Sequence, residues 1–297
     1  MDALVAKLRS SDFARELLQR CNFPVAGEPV SCAVSGGHDS MAMLLLAVLH
    51  GCQVTALHID HSLRLGSDQE AKIVAKVAAE LGAEFVSKTI AVEPGSNLEA
   101  RARDARYAAL PSNVATGHTA DDQAETLLIN LLRGAGLQGL AGMQKDQSHP
   151  ILELRRDETR QLCDELAISC VNDPSNSDLR FLRNQVRHQL LPMMNEISQR
   201  DVATILARQA DLFRDDALIL DELAKNIDPT DAKALTSAPV AMARRAIRKW
   251  LTDTYPPDAA TVERVLEVAR GKTTACDIGM NSEVRRSQQR LQINSRQ

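Results

Sequence analysis

Two rhythms of apolar and polar residues alternate along the N-terminal part of the chain. Short runs at 30–34, 53–59, 84–90 and 113–116 are apolar and bounded by Gly, Pro, Ser or Asn, which predicts β-strands. Stretches of helical period separate them. Residues 1–22 set Leu4, Leu8, Phe13 and Leu17 on one rough stripe and predict a single amphipathic helix, ended by Pro24, Gly27 and Pro29. Residues 41–49 carry Met, Ala and Leu without a breaker and predict another. A third runs from Ser67 to Leu81 with Ile73, Val74, Val77 and Leu81 inward, and Gly82 stops it. Asn97 can cap a fourth that runs through Leu110, and Asp121-Asp122 open a fifth that ends near Arg133. Strands alternating with helices predict an α/β fold built on a doubly wound parallel sheet.

Beyond Pro192 the rhythm changes. Helix formers run almost unbroken from 193 to about 226, one long or broken helix. Further helices are expected over 238–251 and 258–269, divided by Pro256-Pro257, and weak alternation over 272–294 predicts a small hairpin. The expected organisation is a domain over 1–192 and a smaller, mostly helical one over 193–297.

A length of 297 residues accommodates two such domains. Aromatic residues make up only 3%, so the core must rest on Leu, Val and Ala. The net charge of -4 excludes a uniformly basic nucleic-acid binder and leaves room for a local basic patch. The longest apolar run, 41–49, is too short to span a bilayer, and residues 1–4 lack the basic-then-apolar order of a signal peptide. Six scattered cysteines form no C-x-x-C pair, so neither a zinc ribbon nor a dithiol site is supported; reduced thiols in the cytoplasm are expected.

Candidate chemistry collects at the ends of the expected strands. Ser35-Gly36-Gly37-His38-Asp39-Ser40 joins a strand to a helix, where adjacent glycines allow close backbone approach and free N–H groups favour an anion. Asp39 is odd beside an anion unless it holds a phosphate-bound metal or caps the helix. His58, Asp60 and His118 also fall at strand ends, the ligand edge of such sheets. His58, Asp60 and His61 could ligate a metal, and a nucleotide-contacting or core-satisfying role suits them equally. His118 with Asp121, Asp122 and Glu125 could bind a magnesium ion, and Asp121 and Asp122 could offset the helix dipole, two roles that are compatible. Arg103 and Arg106 share a helical face suited to phosphate, or to solvent. Gly134-Ala135-Gly136-Leu137-Gln138-Gly139 follows a helix rather than a strand, which excludes a dinucleotide site; Gly271-Lys272-Thr273-Thr274 lacks the earlier glycine of a Walker loop, having Leu266 there.

The Ser35–Ser40 stretch resembles the pyrophosphate-binding loop of the N-type ATP pyrophosphatases, which cleave ATP to AMP and pyrophosphate and adenylate a substrate oxygen. Four further runs narrow this. The stretch from Leu57 to Arg64, Asn97 to Tyr107, Thr116 to Met143, and Asp173-Pro174-Ser175-Asn176 with Arg183-Asn184, Arg187 and Leu191-Pro192 resemble, in order and spacing, signatures of the tRNA(Ile)-lysidine synthase family. The resemblance covers about residues 30 to 192.

It implies ligation of free L-lysine to C2 of the wobble cytidine of an isoleucine tRNA with anticodon CAU, through an adenylated cytidine, with ATP and Mg2+ as cofactors. By the same resemblance Ser35, Gly36, Gly37, His38, Asp39, Ser40, His58, Arg106, Gly117 and His118 would meet ATP, and Asp39 and Asp121 the metal. Asp39, Asp60, Arg103 and Asp122 would be catalytic. Asp60, Asp122 and Glu125 are the candidates for lysine, and Arg133, Arg183 and Arg187 for tRNA; beyond the resemblance, the clustered Arg244, Arg245 and Arg248 could form a tRNA phosphate surface or be solvated charge on a small domain. A cytoplasmic protein, with no membrane partner, is expected, and a homodimer is open. Some relatives carry a further C-terminal domain, which this chain is expected to lack. The alternative enzyme is a tRNA thiolase with the same loop; the missing C-x-x-C counts against its cluster-dependent type only. A catalytically silent tRNA-binding relative is the alternative from another class, and the intact loop residues argue against it.

Overall fold

The computed structural model describes residues 3–60, 67–89, 110–171, 178–253 and 256–295. The chain divides into two units, Met1–Leu212 and Phe213–Gln297.

In the first unit, β1 (Pro29–Ala33), β2 (Gln53–Asp60), β3 (Glu84–Thr89) and β4 (Ala115–Thr116) form one sheet in the order β3-β2-β1-β4. All three pairings are parallel, with Ala33 flanked by Leu57 and Thr116. The chain steps outward from β1 to β3, then returns to place β4 on the far side of β1. Winding therefore reverses between β1 and β4, and their carboxyl ends open the crevice where such sheets bind ligands. Only two residues of the run expected over 113–116 pair as a strand. The helix expected over 97–110 lies outside the described residues, Leu110 apart.

Side chains alternate across the sheet, as a strand requires. Val30, Cys32, Val54 and Ala56 face the main core, while Ala33, Leu57, Ile59 and Val86 meet Leu110 and Val114 in a smaller one. The main core is centred on α3 (His38–His50), in which every residue from Ser40 to Ala47 is buried. A helix without a polar face must be surrounded. It packs on β1 and β2, on α1 (Ala3–Ser10), α2 (Asp12–Leu18) and α4 (Ser67–Leu81), and on the later α7 (Arg156–Glu165).

The single helix expected over 1–22 is two. Ser11 interrupts it, because its Oγ accepts the Ala14 N–H at 3.0 Å and starts α2 afresh. Leu4, Leu8 and Leu17 are nevertheless all buried, as the stripe requires.

After β4 come α5 (Ala120–Leu132), α6 (Leu137–Leu140), α7, α8 (Leu182–Gln185) and α9 (Leu191–Ser198). A five-residue π-helical segment, Val186–Leu190, joins α8 to α9. Its wider turn brings Val186 and Leu191, five positions apart, to one buried cluster with Ala124, Leu128, Val202 and Ala203. Gln199, in a left-handed conformation (φ 51°), separates α9 from α10 (Val202–Ala224). These helices pack on α5, and the division into two units falls inside α10.

The second unit holds α11 (Ala232–Ser237), α12 (Val240–Leu251) and α13 (Ala259–Ala269), with β5 (Ala275–Gly279), β6 (Ser282–Ser287) and β7 (Arg290–Ser295). The tail is an antiparallel meander of three strands where one hairpin was expected. Leu235, Ile247, Val265, Leu266, Val284 and Leu291 form its core, and Trp250 packs against it. Among the described residues no helix is long and apolar enough to cross a membrane.

Candidate active site

The loop after β1 is held from both sides. The Ser35 N–H donates to Ser40 Oγ at 3.2 Å, and that hydroxyl donates to Gly37 O at 2.9 Å. Gly36 has φ +90°, which only glycine takes freely, and its carbonyl accepts the Val171 N–H at 2.9 Å. Gly37 sits at the N-cap of α3 and supplies no side chain to its first turn. The N–H groups there are left for an anion, favoured further by the helix dipole.

Gly117 explains itself by space rather than conformation. A Cβ there would lie 2.9 Å from Asp39 C, Ser40 Cα and Ser40 N. The turn after β4 therefore rests on the backbone of the loop helix. His58 is buried, with Nδ1 2.8 Å from Val34 O, so it braces the base of the loop. His118 sits past β4, its Nδ1 2.8 Å from Thr116 Oγ1 and its ring 5.3 Å from that of His149. His38 opens α3, its pKa lowered by burial and then by the nearby Arg160 charge. Asp60 is the last residue of β2. Arg103 and Arg106 lie outside the described residues.

Behind the loop the structure assembles acids and arginines. Asp122 caps α5, accepting from the Thr119 N–H and hydroxyl at 3.0 Å each. Its other oxygen accepts from Arg156 at 3.1 Å and Arg183 at 2.9 Å, with Arg187 at 3.4 Å. Glu125 is fully buried. Its Oε1 accepts from Arg187 Nε at 2.6 Å and from both Arg156 Nη atoms at 3.2 Å. Its Oε2 accepts from Arg183 Nε at 2.7 Å and Arg187 Nη2 at 3.0 Å. Asp39 joins from the loop. Its Oδ1 accepts from the Thr159 hydroxyl, and its Oδ2 lies 3.5 Å from Arg156 Nε. Three carboxylates thus face three guanidiniums, and their charges cancel.

Asp121 faces away from this group. It accepts from Arg155 Nε and Nη2 at 3.0 Å each and from the Arg156 backbone N–H at 2.8 Å, which docks the start of α7. No group of three or more His, Cys, Asp or Glu among the described residues is placed to hold a metal.

The electrostatics differ sharply between neighbours. Burial and then the Asp122 charge push Asp39 up to about 6, against the opposing pull of Thr159 and Arg156. Burial also works against the Asp122 carboxylate, but Arg156 and Arg183 outweigh it and hold it well below the ordinary range. Burial acts the other way on Arg156, and Asp122, Glu125 and Asp39 more than restore its proton affinity. The pair Asp39 and Asp122 therefore has its affinities driven apart, a pattern common where chemistry is done.

The remaining arginines are dispersed. Arg133 caps α5 at its C-terminus and is exposed, while Arg183 and Arg187, expected at tRNA, turn inward to the carboxylates. In the second unit Arg244 pairs with Glu263, Arg245 pairs with Asp221, and Arg248 is half-buried on α12. Sequence reasoning missed α7 altogether, with Arg155, Arg156 and Thr159. Asp157-Glu158 mark a helix start, yet nothing local signals that the Arg156 side chain turns inward.

A parallel sheet with a reversal crevice, and a Ser-Gly loop leading into an uncapped buried helix there, define a nucleotide-handling α/β domain. The family model of the PP-loop domain matches residues 9–194, and that of the TilS substrate binding domain matches residues 231–292. The solved U34-tRNA thiolase NcsA from Methanococcus maripaludis superposes with a TM-score of 0.54 at 18% identity, over 68% of this chain and 79% of its own; the likeness is one of fold. The tRNA(Ile)-lysidine synthase of Nocardia farcinica is 40% identical over 249 residues, 78% of either chain. That of Mycobacterium tuberculosis is 36% identical over 269 residues, 83% of this chain and 81% of its own. The chain belongs to the tRNA(Ile)-lysidine synthase family.

Proposed function

We propose that this chain joins free L-lysine to the wobble cytidine of an isoleucine tRNA with anticodon CAU, at the expense of ATP, in the cytoplasm. The observation that carries the reading is the start of α3, where backbone N–H groups without a side-chain cap meet the Asp39 carboxylate. Such a turn suits a pyrophosphate accompanied by a metal.

The chemistry runs in two steps. The cytosine C2 oxygen attacks the α-phosphorus of ATP, and pyrophosphate leaves. An amine of lysine then adds at C2, and AMP departs with that oxygen. The loop residues Ser35 to Ser40 hold the leaving pyrophosphate. Asp39 is the acid on the loop itself and is partly open to solvent, so it fits one protein ligand of a Mg2+ ion. Mg2+ would supply charge neutralisation on the phosphates there. Arg156, Arg183 and Arg187 offset the charges of Asp39, Asp122 and Glu125 behind the loop, so the leaving group meets no net negative charge from that cluster. Asp60, Asp122 and Glu125 remain the candidates for the ammonium groups of lysine. Asp122 and Glu125 already carry guanidiniums, so lysine would share or displace them. Among the described residues the cluster presents no side chain that needs to act as a covalent nucleophile, since the substrate amine does so. The arginines of the second unit, Arg244, Arg245 and Arg248, together with Arg133, are assigned to tRNA phosphates.

The test is lysine incorporation. Protein, ATP-Mg, labelled lysine and unmodified tRNA are mixed, with Asp39→Ala as control. ATP-dependent label on the tRNA that collapses in the variant supports function and site together. AMP and pyrophosphate without label would keep the loop chemistry and overturn lysine as the nucleophile.

A further inference from the structure

Asp39 is the acid on which the proposed reaction turns, yet its two oxygens are held by α7, a helix that no sequence motif marked. Thr159 donates to Oδ1, and Arg156 Nε lies 3.5 Å from Oδ2. These two residues lie three apart, on one face of the helix. The same guanidinium reaches Asp122 at 3.1 Å and Glu125 at 3.2 Å on α5. Arg156 therefore touches the loop carboxylate and both acids behind it. Its own helix is docked in turn, because Asp121 holds the Arg156 N–H and the Arg155 side chain.

Arg156 is also in the wrong place for its helix. It occupies the first helical position of α7, where the dipole favours an acid and disfavours a cation. Asp157 and Glu158, the next two residues, follow that preference and Arg156 does not. A local conflict of this kind, with no gain to the helix, marks a residue kept for what it does elsewhere. A guanidinium spreads five N–H donors over a rigid plane and so reaches three separated carboxylates, whereas an ammonium offers three donors from a single point.

We infer that Arg156 is a positioning residue, seating Asp39 against the α5 acids so that the Ser35–Ser40 loop is set for the nucleotide. This rests on the reading of the loop as the ATP site. It predicts that Arg156 acts in the first half of the reaction, before lysine takes part.

The experiment uses the full chain with unmodified tRNA and ATP-Mg and no lysine, and follows pyrophosphate release as ATP is varied. Arg156→Gln is expected to raise KM for ATP at least tenfold and to slow release at saturation. Arg156→Lys should recover part of the loss, since one contact to Asp39 can be kept. Thr159→Val, neutral in charge and close in shape, should move KM in the same direction by about threefold. Wild-type KM and release rate in a folded Arg156→Gln would overturn the assignment. If Arg156→Gln does not fold, Arg156→Lys and Thr159→Val decide, and wild-type behaviour in both overturns it. Should the wild type itself release no pyrophosphate, the functional reading fails separately. Binding of a non-hydrolysable ATP analogue then tests Arg156 alone, with at least tenfold weakening expected in Arg156→Gln and unchanged binding refuting it.

Discussion

Substituting Gly117 by alanine tests whether the β4 turn sets the loop. The added methyl would lie 2.9 Å from three backbone atoms, Asp39 C, Ser40 Cα and Ser40 N. Ordinary carbon contacts begin near 3.4 Å, so about 0.5 Å must open between the turn and the first turn of α3. Neither side yields easily. The three atoms belong to backbone, not to a flexible side chain, and α3 is enclosed by protein from Ser40 to Ala47. Overpacking of this kind costs about 1–3 kcal/mol. In a unit of this size that lowers Tm by roughly 2–12 °C. A misplacement of about 1 Å near reacting groups costs on the order of a hundredfold, so half of that predicts about a tenfold loss of lysine incorporation. Circular dichroism melting and the labelling assay together read both effects. A variant that melts within 1 °C of wild type and labels tRNA within about twofold would refute the argument that this contact sets the loop.

Three further outcomes follow from the same geometry. Glu125→Gln leaves three guanidiniums around a neutral amide, and breaking a buried ionic network of this kind should cost about 3–5 kcal/mol in urea denaturation; a loss under 1 kcal/mol would mean the arginines are not seated there. Asp39 is raised to about 6 in the folded protein against an unfolded 3.8, so between these values the folded state holds the extra proton and the contribution of this residue to stability falls as pH rises. The slope of stability against pH over that window should become less negative in Asp39→Asn than in wild type, and equal slopes would contradict the shift. Ser11→Ala removes the cap that splits α1 from α2 and should cost about 1 kcal/mol, read as a lower Tm; no change would mean the hydroxyl contributes nothing.

The positions of the parallel strands and the loop were legible because each has a local cause. Val30 to Val34 is an apolar run, Ser35 to Ser40 is a turn with two glycines, and the helix behind it has no breaker. Helix ends were legible where a glycine or an Asx residue marks them, as at Gly82 and at Asp258, which accepts the Thr261 N–H. Ser11 was missed because a hydrophobic stripe of constant phase ran through the cap. The third strand of the C-terminal sheet was missed because its turns use Met280, Asn281 and Gln288 at positive φ, where glycine is the usual signal. In the site, the motifs joined Asp39 to Asp122 and Asp122 to Glu125, but they also paired Asp39 with Asp121, which binds Arg155 instead, and they did not signal that arginines would meet these acids. Arg156 lies on α7, Arg183 on α8 and Arg187 in the π-helical segment that follows, and their convergence depends on a tertiary fold that no periodicity announces.

The enclosure of α3 has a consequence for motion. An exposed helix can fray or open alone, and its amides then exchange with solvent through small fluctuations. The amides of Met43 to Ala47 have no such route, since every neighbouring element would have to move aside. Their hydrogen exchange should proceed only when the whole first unit unfolds, and thus report its global stability. The first turn of the same helix is the one proposed for the anion. A nucleotide held there would be anchored to the last element to melt, and a ligand that grips this turn would slow exchange across the entire core rather than locally.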